Sequence, residues 1–219
     1  MSKPLPSNLK LVLMSQVLYP DIKPGFKIDL KEVVKHFKLG KKIIGIKYGK
    51  EIKLGKVNKL TQGFYNSITF TILLKPKREI CAKLSNDLVV HISGLRGAYD
   101  AEVAARILYS KLYKMKISLP LHIRFKNIET ILMNSGYNSN MIINRSKLVE
   151  ILIKKYKHTA IFDSNSYSGV KLYLGDMAIL IFRTGKIIVT GERSMIRLIE
   201  GYYLIEKILR DNYTEIIEV

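Results

Sequence analysis

The sequence predicts an α+β fold: two copies of one strand, helix, strands, helix unit, their sheets joined edge to edge into one curved antiparallel sheet with helices on its convex face. Three observations carry this. The stretch Ala178 to Gly191, AILIFRTGKIIVTG, reads as a β-hairpin turning at Gly185. Neither Ile179, Leu180, Ile181, Phe182 nor Ile187, Ile188, Val189 alternates with polar residues, so both faces of the hairpin are apolar and each needs something to lie against. Next, Ser194 to Asn212 has Leu198, Tyr202, Ile205 and Leu209 at helical spacing behind a Ser194 N-cap, a helix that can cover one face. Last, the order of elements before Pro120 recurs after it. Runs of strands followed by a helix, without βαβ alternation, favour antiparallel pairing.

Taken in order, Asn8 to Met14 (NLKLVLM) reads as a strand, and Pro20, Pro24 and Gly25 as the loop that ends it. Asp29 caps a helix, with Glu32 at the capping-box position and Val33, Val34 and Phe37 as its stripe. From Lys41 to Lys59, seven lysines and three glycines punctuate short apolar pieces, which fits either an extra hairpin or a basic loop. Phe64 to Leu74, Ile80 to Leu84 and Leu88 to Ile92 read as strands, the last two around an Asn86-Asp87 turn. A helix over Tyr99 to Met115 follows, with Asp100 near its cap and Val103, Ile107, Leu108 and Leu112 on its stripe. Past Pro120, Asn127 to Met133 (NIETILM) matches NLKLVLM, Asn134 to Asn140 reads as a polar loop, and Ser146 as the cap of a helix bearing Leu148, Ile151 and Leu152. A polar stretch, Asp163 to Ser168, then leads into a strand at Gly169 to Leu174 and on to the hairpin and the last helix. The expected division is residues 1–118 as the first repeat, with a Lys-rich insertion near 40–62, and 119–219 as the second: a duplication, not a solenoid.

A formal net charge of +19 on 219 residues points to an anionic partner, nucleic acid before an acidic membrane. A single cysteine, Cys81, excludes an intramolecular disulfide framework and a Cys-based zinc site. Apolar runs are too short to cross a bilayer and the start, MSKPLPSN, lacks a signal-peptide core, so an intracellular protein is expected. The apolar face left uncovered by helices is too large to leave bare, and Arg183 and Lys186 stand at its edge. A major-groove reader would present polar side chains to base edges. An apolar, extended surface suits the minor groove, where the hydrogen-bond code is poor and apolar side chains can wedge between base steps.

The hairpin with its following helix resembles the second repeat of the TATA-box-binding protein family. FDSNSYSGVKLYL resembles that family's stirrup and FKNIET its Asn-bearing first strand; residues 120 to 210 match well and 8 to 115 weakly. The resemblance implies a saddle-shaped fold and a transcription initiation factor that binds AT-rich promoter DNA in the minor groove and bends it. It further implies a platform for a TFIIB-like factor and the RNA polymerase machinery. On this likeness Asn8 and Asn127 form a pseudo-symmetric pair on the groove floor; Tyr167 and Phe182 are wedges; Leu180, Ile188 and Thr190 line the groove; and Arg183 and Lys186 reach phosphates. In the first repeat Ser93-Gly94 stands for Thr190-Gly191, Leu84 for the phenylalanine beside the turn, and Phe64 or Tyr65 for the other wedge. Glu129 falls where the family has an apolar contact. Asp163 keeps the first stirrup carboxylate for a partner, but Asn165 replaces the second.

No cofactor and no metal is implied. His36, His91, His122 and His158 are scattered and no catalytic constellation stands out, so the expectation is not an enzyme. A monomer or weak homodimer is expected, acting in the nucleus or, given the divergence, in a viral factory or virion of a large DNA virus. The other reading is a nucleic-acid-binding module of the same fold, or a virion protein, without promoter specificity.

Overall fold

The computed structural model describes residues 6–57, 63–75, 78–97, 99–115, 119–120 and 123–218. Residues 58–62 of the expected insertion, Pro76, His122 and the expected repeat boundary at residue 118 lie outside them. The chain divides into two compact units, Ser15–Thr130 and Met1–Met14 with Ile131–Val219, here the first-repeat and second-repeat units. The cut points fall inside two long strands, β1 (Lys10–Pro20) and β7 (Phe125–Asn138).

In the first-repeat unit, α1 (Leu30–His36) starts at Asp29, whose Oδ1 accepts the main-chain N–H of Lys31 and Glu32. Glu32 does not close a capping box; it pairs with Lys35 and His36 one turn on. The Lys-rich segment resolves into a hairpin, β2 (Ile43–Tyr48) and β3 (Ile52–Gly55). Then come β4 (Ser67–Lys75), β5 (Arg78–Ser85), β6 (Val90–Leu95) and α2 (Asp100–Tyr113). Sheet order is β3-β2-β4-β5-β6-β1. Ile68, Phe70, Ile72, Ala82, Leu84, Val90 and Ile92 are buried on one face, and the Phe37 ring of the α1 cap lies with its centre 5.0 Å from that of Phe70, tilted by 47°. The buried side of α2 is Ala101, Ala104, Ala105, Leu108, Tyr109 and Leu112, while Val103, expected on its stripe, is exposed. Asp100 does not cap that helix; its carboxylate accepts the main-chain N–H of Arg96 and Gly97 and pairs with Arg78.

In the second-repeat unit, α3 (Arg145–Lys154) is capped by Asn144, whose Oδ1 accepts the Lys147 N–H, and not by Ser146. A short strand unseen in the sequence, β8 (Thr159–Ile161), precedes β9 (Gly169–Leu174), β10 (Met177–Phe182) and β11 (Lys186–Glu192). The chain ends with α4 (Met195–Asp211) and the single turn α5 (Tyr213–Ile216). Ser194 stands at the start of α4 without a side-chain cap bond. Sheet order is β8-β9-β10-β11-β7, antiparallel throughout. Val170, Leu172, Ile179, Ile181, Ile187 and Val189 pack under Leu148 and Leu152 of α3 and Leu198, Tyr202, Ile205 and Leu209 of α4.

The two orders correspond strand for strand: β2 with β8, β4 with β9, β5 with β10, β6 with β11 and β1 with β7. Among the described residues β3 is the strand without a counterpart, and it lies within the expected insertion. The register fixes the alignment. Leu84 faces Val90 as Ile181 faces Ile187, and Gly94 and Gly191, at φ +88° and +89°, both take the left-handed conformation that favours glycine. One expected boundary fails: Asn134 to Asn138 continue β7 instead of forming a loop.

Candidate nucleic-acid interface

In the second-repeat unit the sheet face away from the helices is built by strand alternation. With Ile179, Ile181, Ile187 and Val189 turned into the core, Ala178, Leu180, Phe182, Ile188 and Thr190 point the other way, all half-buried. Cross-strand partners extend the floor: Leu180 lies opposite Ile188 and Lys171, Ile188 opposite Gly136, Ala178 opposite Thr190 and Tyr173. At Gly136 an added Cβ would sit 3.3 Å from Val12 Cγ2 and 3.2 Å from the Ile187 carbonyl oxygen, so glycine there lets Val12 and Ile188 close over the strand. Lys10, Asn138 and Lys186 border the resulting shallow depression. At the end of β10, Phe182 faces Gly169, and the Tyr167 and Phe182 rings stand 5.8 Å apart, tilted by 57°. A Cβ on Gly169 would lie 3.1 Å from Tyr167 and 3.2 Å from Phe182, so glycine makes room for the pair. Lys171 Nζ sits 4.6 Å from the centre of the Tyr167 ring. One polar pair interrupts the apolar floor: the Thr190 hydroxyl donates to Asn134 Oδ1 at 2.5 Å.

The corresponding face of the first-repeat unit is polar. Ser67, Thr69 and Thr71 of β4 alternate with buried Ile68, Phe70 and Ile72, and Cys81, Lys83 and Ser85 of β5 with Ala82 and Leu84. His91 and Ser93 of β6 complete it. Burial and then the neighbouring Lys83 ammonium hold the His91 imidazole below its usual pKa, and burial pushes the Cys81 thiol up. The expectation of a continuous apolar face therefore holds for one unit and fails for the other.

No family model matches the sequence. A mimivirus protein described as TATA-box-binding protein-like is 26% identical over 239 residues, covering 90% of this chain and 64% of that protein. The chain thus spans about 64% of the length of the curated relative it matches. TBP from Methanococcus jannaschii superposes with a TM-score of 0.65 at 16% identity, covering 93% of this chain and 99% of that one. The fold is TBP-like. Both its sequence and its fold bear out that resemblance, and the sheet with helices on one side of each repeat is the α+β architecture of TBP.

Within this TBP-like frame, Tyr167, Leu180, Phe182, Ile188 and Thr190 come together on one face as expected. Lys186 is exposed at its rim. Arg183 turns instead to the chain end, its Nε 2.6 Å from Glu218 Oε2. The two expected asparagines sit as follows. Asn8 precedes β1 in a turn, and its Oδ1 accepts the Tyr202 hydroxyl of α4 at 3.0 Å, which ties it to the helix-covered side. Asn127 is exposed near the start of β7, and the asparagine beside Thr190 is Asn134, seven residues later in the same strand. Leu84 is fully buried beneath the helices, so it cannot serve as a wedge; the residue in Phe182's position is Ser85, opposite Ser67 as Phe182 is opposite Gly169.

By the same register Tyr65 corresponds to Tyr167. Its hydroxyl donates to Glu51 Oε1 at 2.9 Å and its ring meets Tyr48 edge-on, whereas the neighbouring Phe64 ring lies 5.0 Å from Lys83 Nζ. Ser93 holds Thr190's place before the left-handed glycine. The Glu129 carboxylate accepts from Tyr19 at 3.4 Å. Asp163 lies in the exposed turn before β9, where the Asn165 N–H and then Ser166 hold its carboxyl below the usual value. Sequence reasoning missed Val12, Asn134, Gly136, Ile161 and Tyr173 on the apolar face. The partner strand of Thr190 points to Asn134, a signal the likeness of NIETILM to NLKLVLM hid. Among the described residues no group of three or more His, Cys, Asp or Glu is placed to hold a metal ion, and no helix is long and apolar enough to cross a membrane.

Proposed function

We propose that this protein binds AT-rich duplex DNA through the minor groove with the open face of the second-repeat unit, and bends it as an early step of transcription initiation. The observation that carries this reading is the floor of Ala178, Leu180, Ile188 and Val12, closed at one end by the Tyr167 and Phe182 rings and marked by one hydrogen-bonding pair, Thr190 and Asn134. Apolar side chains fit the sugar walls and shallow floor of a minor groove, and one hydroxyl with one carboxamide matches its sparse, degenerate hydrogen-bond pattern. Aromatic rings at the edge of such a face are suited to slide into a base step. The net charge of +19 favours the same polyanion. The turn carrying Asp163 and the helices on the other side of the sheet would meet a TFIIB-like factor and the polymerase machinery, the protein acting as a monomer or weak homodimer in a nucleus or a viral factory. The polar face of the first-repeat unit favours a second reading, a TBP-fold module that holds DNA without promoter specificity.

Selection from a randomised duplex library by bandshift, followed by sequencing, separates the two. The promoter-binding reading expects enrichment of an A·T-rich core of a few base pairs, lost in Asn134→Ala and Thr190→Val. Recovery of unenriched sequence at every round contradicts it.

A further inference from the structure

The stretch that follows α4 is out of character with the rest of the chain. The sequence carries 37 Lys and Arg against 18 Asp and Glu, yet residues 211–219 hold Asp211, Glu215 and Glu218 and no Lys or Arg. This acidic stretch is docked, not merely solvated. Ile216 is fully buried, and the Asn144 N–H donates to its carbonyl oxygen at 2.7 Å. Ile217 bridges Ile143 in the antiparallel sense, and the Glu218 N–H donates to the Ile142 carbonyl oxygen at 2.8 Å. Residues 139–143 are bonded in turn to the β10–β11 turn: the Ile143 N–H donates to the Arg183 carbonyl oxygen at 2.8 Å, and the Ser139 N–H to that of Gly185 at 2.9 Å. Main-chain bonds on both sides of residues 139–143 therefore fix where Glu218 lies relative to Arg183.

Arg183 directly follows Phe182, and Thr184 and Lys186 of the same turn border the shallow depression on the open face. A guanidinium binds carboxylate and phosphate through the same fork of donors, so one partner excludes the other. Here the fork is taken: Arg183 Nε lies 2.6 Å from Glu218 Oε2, with both side chains partly open to solvent. An exposed pair of this kind contributes little to folding. Its larger effect is on the field at the rim of the open face, where it cancels one of the two positive charges of the turn and leaves Lys186 exposed as the other.

We propose that the docked acidic segment is an autoinhibitory contact: Glu218 stands in for a phosphate and withholds Arg183 from DNA, so that releasing the pair adds one phosphate contact and tightens binding. This rests on the reading of the protein as a duplex-DNA binder. The test is a salt titration of binding to an AT-rich duplex by the full chain, for the wild type, Glu218→Gln, Glu215→Gln, and Glu218→Gln combined with Arg183→Gln. Glu218→Gln should bind more tightly at low salt and steepen the slope of log K against log salt by about 0.9, the value for one further phosphate neutralised. The double variant should return to the wild-type slope, because the gain belongs to Arg183. Glu215→Gln removes an equal charge from an exposed position three residues earlier and should leave the slope unchanged. A Glu218→Gln slope equal to the wild type's, a steeper slope that persists without Arg183, or the same steepening in Glu215→Gln overturns the inference. Failure of the duplex-DNA reading shows separately, as a wild-type chain whose binding does not weaken with salt, and it takes the inference with it.

Discussion

Phe182→Ala is expected to abolish base unstacking at one end of the bound site and to relax most of the bend measured by end-to-end energy transfer. Unstacking a base step costs a few kcal/mol, a figure known for minor-groove wedge proteins of which TATA-box-binding protein is a standard case, and a flat ring offsets part of it by stacking on the exposed base. The proposed minor-groove binding gives Phe182 that task. It is half-buried, sits over a glycine and stands 5.8 Å from Tyr167, so the two rings can enter as a pair. The first-repeat unit has Ser85 in the matching position, with Phe64 and Tyr65 exposed before β4. A serine cannot hold a step open. Fluorescent base analogues at each end of the site should therefore report strong unstacking under the second repeat and weak or no unstacking under the first. Equal signals at both ends of the site, or a full bend in Phe182→Ala, would show that Phe182 is only part of the sheet surface.

Leu84→Ala is expected to act on stability instead of DNA. Leu84 is fully buried, its neighbours Ile68 and Val90 are too, and truncating a buried leucine costs about 2–5 kcal/mol from lost transfer energy and the cavity left behind. The denaturant midpoint should fall sharply while the folded fraction keeps its duplex affinity and bend. A variant with unchanged stability and reduced bending would return Leu84 to the DNA-facing side and with it shift the register of β5.

Much of this architecture is legible in the chain, and the misreadings have physical causes. The hairpin at residues 178–191, its Gly185 turn and the helix after it declare themselves through apolar density and helical spacing. The duplication shows in the order of elements. Extending the apolar face from that hairpin to the whole sheet fails because SITFTI, CAKLS and VHIS alternate polar with apolar residues, the mark of a strand with one polar side. Asn134, Ser135 and Gly136 look like a loop because small polar residues usually make one. Here they continue a strand because Asn134 has Thr190 as a partner and Gly136 admits Val12 and Ile188. Nothing local to Asn8 reveals that Tyr202, almost two hundred positions away, holds its carboxamide.

Whether the second-repeat unit reads the minor groove is tested most directly by competition on a selected duplex. A small molecule that fills the minor groove should displace the protein in proportion to its occupancy, while methylation of major-groove base edges should leave affinity unchanged. Displacement by major-groove methylation together with indifference to the minor-groove ligand would contradict minor-groove binding.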